Sequence, residues 1–140
     1  MTKPFAHLLV WCQAAVLMLA ACAAPRARNV LTHCNIRIGG AVLDAAAEDH
    51  FAYRKAVFSA CGGNQMALRD LLLFSEKADG EARLDHGMVL LALRQRIGVD
   101  SFDSISRSLG VDKKRKIDSL LETSGKFHRA TVKALAGPHD

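Results

Sequence analysis

The sequence predicts an all-α fold, a small array of five or six short helices over residues 36–140. Three observations lead there. From Ala41 onward, apolar residues recur at steps of three and four, the period of a helix with one buried side. No stretch alternates with a period of two for long; the best, Asn35 to Ile38, is too short to seed a sheet. Gly62-Gly63, Gly80, Gly98 and Gly110 fall between the periodic stretches, where helix ends favour glycine.

Taken in order, the first helix is expected to run from Ala41 to Cys61. Leu43, Ala47, Phe51, Arg54, Val57, Phe58 and Cys61 would line one side, with Asp44, Glu48, Asp49 and Lys55 opposite. Asn64 then caps a second helix through Leu68, Leu71, Leu72 and Ser75, ending near Asp79-Gly80. A third runs from about Glu81 to Ile97, with Leu84, Met88, Leu91 and Arg94 in line, and stops at Gly98. Asp100 or Ser101 caps a short fourth helix carrying Phe102, Ile105 and Leu109. Asp112 caps a fifth, with Ile117, Leu120 and Leu121 followed by Phe127, Thr131 and Leu135; Gly125 could divide it in two. Helices this short, joined by tight turns, suit an orthogonal array better than a coiled bundle. There is no internal repeat and no low-complexity tract.

The N-terminal stretch reads as an address before it reads as structure. Lys3 supplies a short positive region, and Leu8 to Ala24 contains no charged residue. This run is shorter than the roughly 20 apolar residues of a spanning helix, contains Gln13, and ends in alanines and Pro25. Leu19-Ala20-Ala21-Cys22 resembles the lipobox of bacterial prolipoproteins. The resemblance implies cleavage between Ala21 and Cys22, a diacylglycerol on the Cys22 sulfur, and acylation of the new amino group with a chain such as palmitate. Ala23, where an aspartate would retain such a protein at the inner membrane, implies the outer membrane. Two other routes remain open here: cleavage after Ala23, since Ala21-Cys22-Ala23 also satisfies an A-x-A rule and would release a soluble protein, or an uncleaved anchor. The organisation expected is a signal peptide over 1–21, a lipidated tether over 22–35 and a helical domain over 36–140. The tether spans at most roughly 45 Å when fully extended. Without the signal, which carries only Lys3, the net charge falls from +5 to +4.

Of the four cysteines, Cys12 leaves with the signal and Cys22 is the lipid site, so Cys34 and Cys61 remain. An even pair in an oxidising compartment reads as a disulfide, here closing a loop of 28 residues. The alternative is two separate thiols, with Cys61 buried on an apolar face. No C-x-x-C pair is present to support redox chemistry.

Candidate chemistry is sparse. Asp49-His50 and Asp85-His86 pair an acid with a histidine, as metal and hydrolytic sites require. Adjacent helical residues project about 100° apart, however, so neither pair converges on one point. His86 suits packing at a helix contact instead. There is no H-E-x-x-H, G-x-S-x-G or phosphate loop, and no metal, cofactor or enzyme activity is expected. Lys113, Lys114, Arg115 and Lys116 open a helix at the end whose dipole repels cations, costing a few tenths of a kcal/mol each. They are a candidate surface for an anion or an acidic partner, or simply a solvated face. Ser101 to Leu120 looks like a helix-turn-helix. That motif would bury Lys116 and Ser119, whereas the apolar residues are Ile117 and Leu120, one step late, and an exported protein meets no chromosome. Nucleic acid is therefore not an expected partner. The reading that remains is an outer-membrane-anchored periplasmic lipoprotein. Its helical domain would bind an envelope protein as an inhibitor, an immunity protein or an accessory subunit. The alternative is an envelope protein that binds lipid or a small ligand.

Overall fold

A computed structural model describes residues 34–135. The expected cleavage site at Ala21 and the lipid site at Cys22 lie outside the described residues. Six helices follow one another: α1 (Gly40–Glu48), α2 (Tyr53–Cys61), α3 (Gln65–Phe74), α4 (Gly80–Ile97), α5 (Val99–Ser108) and α6 (Val111–Leu135). No strand occurs among the described residues, so the class is all-α as the periodicity predicts.

The single first helix expected from Ala41 to Cys61 is in fact two. His50 takes φ 54°, the Phe51 N–H bonds back to the Ala46 carbonyl at 2.8 Å, and the His50 N–H to Ala47 at 3.1 Å. This is the six-to-one and five-to-two pattern that closes a helix on a left-handed residue. The same pattern ends α2 with Gly63 at φ 86°. Sequence inspection finds the glycine and misses the histidine. Asn64 caps α3 as expected, its Oδ1 accepting from the Ala67 N–H at 3.1 Å. That helix stops at Phe74, and Ser75–Lys77 turn away before Asp79 is reached. Gly98 (φ 94°) alone separates α4 from α5, and neither Asp100 nor Ser101 is the cap. Helix α6 starts at Val111 after Gly110, with Asp112 already in its first turn, and runs unbroken through Gly125.

Helix α4 is the hub, packed by α1, α2, α5 and α6. Several neighbours mean several buried sides, which is why no single stripe describes it. It buries Ala82, His86, Val89, Leu90 and Leu93, whereas Leu84, Met88 and Leu91, expected in line, are half-buried. In α1 and α2 the buried residues are Val42, Ala46, Tyr53, Val57 and Ala60; the expected Ala47 and Arg54 are exposed. Phe102 of α5, Leu68, Leu71 and Leu72 of α3, and Ile117 and Leu120 of α6 complete the core. Gly87 lets α6 approach α4, since a Cβ there would overlap the side chain of Ser124. Cys34 and Cys61 are bonded, with Cα atoms 5.8 Å apart, fastening the segment before α1 to the end of α2. Among the described residues, no helix is long and apolar enough to cross a membrane.

Candidate functional site

The expected cationic run Lys113–Lys116 does not form one free patch. Lys114 pairs with Asp118 one turn on, and Arg115 lies 3.6 Å from Asp112. Lys113 and Lys116 instead project together toward the chain that leaves α3. There Glu76 accepts from Lys113 Nζ at 2.8 Å and lies 3.5 Å from Lys116 Nζ. The bond from Lys113, more than its charge alone, holds the Glu76 carboxyl below its ordinary range. These residues border a groove of about 220 Å³ lined by Leu72, Ser75, Glu76, Arg83, Lys113 and Lys116, with Ile117 also at its wall. Arg83, from the first turn of α4, makes no ion pair among the described residues. Three cations therefore face one carboxylate. The space fits a carboxylate or phosphate group, not a large ligand.

Behind the groove lies a buried polar chain. His86 is fully buried, with Nε2 2.9 Å from Ser75 Oγ and Nδ1 2.6 Å from the Tyr53 hydroxyl. Tyr53 is packed edge-on against Phe51 and Phe74, so its phenol proton has one polar destination, Nδ1. The ring hydrogen then sits on Nε2, where Ser75 Oγ and the Leu71 carbonyl share it as acceptors. A nitrogen that carries hydrogen cannot withdraw one from Ser75, so this geometry orients the serine without activating it as a nucleophile. Burial pushes the His86 imidazole down to about 4; a bond to the Leu71 carbonyl opposes that shift and the Arg83 charge adds to it. Burial likewise raises the Tyr53 phenol above its ordinary range, with the Asp85 charge adding to it.

In neither acid–histidine dipeptide does the acid bond its histidine among the described residues. Asp85 packs against the backbone of Gly39 ahead of α1, while its neighbour His86 points into the core. Asp49 pairs with Lys77 at 3.1 Å, and His50 serves the turn. Among the described residues no group of three or more potential ligands is placed to hold a metal. The segment that looks like a helix-turn-helix buries Ile117 and Leu120 and exposes Lys116 and Ser119, the rotation that its sequence implies. Sequence reasoning missed Ser75, Glu76 and Arg83. They come from two other stretches of chain, and no linear spacing relates them to Lys113. No protein-family model matches the chain, and neither the curated proteins nor the solved structures yield a match.

Proposed function

We propose that this chain is a lipoprotein of a bacterial outer membrane, attached through Cys22. Its helical domain binds an envelope protein in the periplasm by taking an acidic side chain or chain terminus into the Arg83–Lys113–Lys116 groove. The observation that carries the compartment is the Cys34–Cys61 bond, which suits an oxidising space. It stands beside Leu19-Ala20-Ala21-Cys22, which supplies the address. The groove supports the interaction half of the reading: its cations exceed its acids, and Glu76 already occupies the lysines as an incoming carboxylate would. An inhibitory, immunity or accessory role fits a small stapled scaffold whose most polar buried cluster holds the fold rather than a reacting group.

Two experiments divide the proposal. A Cys22→Ser variant should lose labelling by a fatty-acid probe and accumulate uncleaved; normal processing of that variant would remove the anchor from the reading. For the groove, the lipidated chain is crosslinked in its own envelope beside the Lys113→Glu/Lys116→Glu variant. A specific adduct lost on charge reversal is the expected result. Adducts that persist unchanged place the contact elsewhere.

A further inference from the structure

We infer that the distal half of α6 is a second membrane contact, lying along an anionic lipid surface with its apolar side down. From Lys126 to Leu135 every residue is exposed, although the helix continues without a break. At 100° per residue, the side that buries Ile117, Leu120, Leu121 and Ser124 continues through Phe127, Thr131, Val132 and Leu135. The core seam thus runs on past the point where it has a partner among the described residues. Phe127, Val132 and Leu135 are 53%, 51% and 83% exposed, a heavy apolar load for ten residues of open helix.

The polar side favours lipid as the occupant. Lys126, Arg129 and Lys133 fall within an arc of about 60°, opposite the apolar side. No Asp or Glu occurs from Thr123 to Leu135, and the nearest acid, Glu122, is tied to Lys126 at 2.7 Å. An apolar side backed by a cationic one is the pattern of helices that lie in the headgroup region of anionic bilayers. Thr131 fits the same role: its hydroxyl donates to the Phe127 carbonyl at 3.0 Å and so needs no water as partner. His128 lies exposed in the same arc with no hydrogen bond to its ring among the described residues, as suits a segment at the interface rather than inside the hydrocarbon. A second copy of the chain fits less well. Ten helical residues, about 15 Å long and about 10 Å across, offer a footprint of only roughly 150 Å², far short of the roughly 800 Å² per partner of a stable interface.

Contact through α6 does not require the lipid on Cys22, and the two can be told apart. Phe127→Trp is made in the full chain, where Trp11 is common to parent and variant and subtracts out. The chain is titrated with phosphatidylcholine vesicles with and without phosphatidylglycerol, using brominated acyl chains as quenchers. The new indole should shift to the blue and be quenched on anionic vesicles, while an Arg129→Trp indole on the opposite side stays water-like. Neutralising Lys126, Arg129 and Lys133 to Gln should raise the lipid needed for half-maximal shift roughly 100-fold, at about fivefold per cation. A water-like Phe127→Trp indole on a chain that nevertheless floats with the vesicles overturns this contact and leaves the anchor standing. A shift without lipid that grows with protein concentration means self-association, and a shift on vesicles without bromine quenching means that the indole is buried against the chain itself rather than against acyl chains. Either result also overturns it.

Discussion

His86 shows what a buried titratable group does to stability. Its imidazole is held down at about 4, against 6.5 when exposed. Between those values the unfolded chain binds a proton that the folded chain refuses, so stability falls as pH drops from about 6.5 to 4 and is flat above. The gap corresponds to a loss of about 3 kcal/mol. Urea midpoints at pH 7 and pH 4.5 should show it, and His86→Gln should flatten the slope attributable to this site; an unchanged slope in that variant would sink the assignment. A second residue-scale prediction concerns His50, whose φ of 54° branched side chains adopt poorly. His50→Val should cost about 1–2 kcal/mol and His50→Gly nothing. A Val variant melting with the parent would mean that the turn is not built on this residue. His86 as a packing residue was legible from the sequence, because it precedes Gly87 within an apolar stretch. Its partners Tyr53 and Ser75, 33 and 11 residues away, were not.

At the scale of elements, the glycines and Asn64 located most of the helix ends because each performs a local job. What failed was local too: α1 ends on a histidine in a glycine's role, and α4 carries no stripe because neighbours surround it. Its crossing with α6 yields a sharper expectation. A methyl at residue 87 would come within 1.9 Å of Ser124 Oγ and 2.8 Å of its Cβ, so the helices must part. Gly87→Ala should therefore destabilise by about 1–3 kcal/mol, despite alanine's better helix propensity. The Ser124 hydroxyl is buried without a partner among the described residues. Ser124→Ala removes that unpaired group and should be neutral or stabilising by up to about 1 kcal/mol. Thermal denaturation of both variants checks the pair, and a Gly87→Ala protein as stable as the parent would show that the crossing has slack.

For the whole molecule, the all-α class follows from periodicity, which any short window displays, whereas the groove exists only once α3, α4 and α6 have packed. Lys113–Lys116 was visible as a run, but its division into two lysines on Glu76 and two cations on acids of their own helix is a product of helix rotation. The cysteine pairing lies between these cases: counting identified the pair, and packing brings the ends of its loop to 5.8 Å. Cross-linking that loop of 28 residues removes entropy from the unfolded chain worth roughly 3–4 kcal/mol. Against a typical total of about 5–15 kcal/mol, this is a large share for a domain of this size. Cys34 is buried and Cys61 half-buried, so Cys34→Ala/Cys61→Ala should lose about that much and little more through packing. Reductant should bring the parent to the same urea midpoint while leaving the double variant unmoved. If reductant leaves the parent's midpoint in place, the bond contributes nothing to the fold, and the argument for an oxidising compartment falls with it.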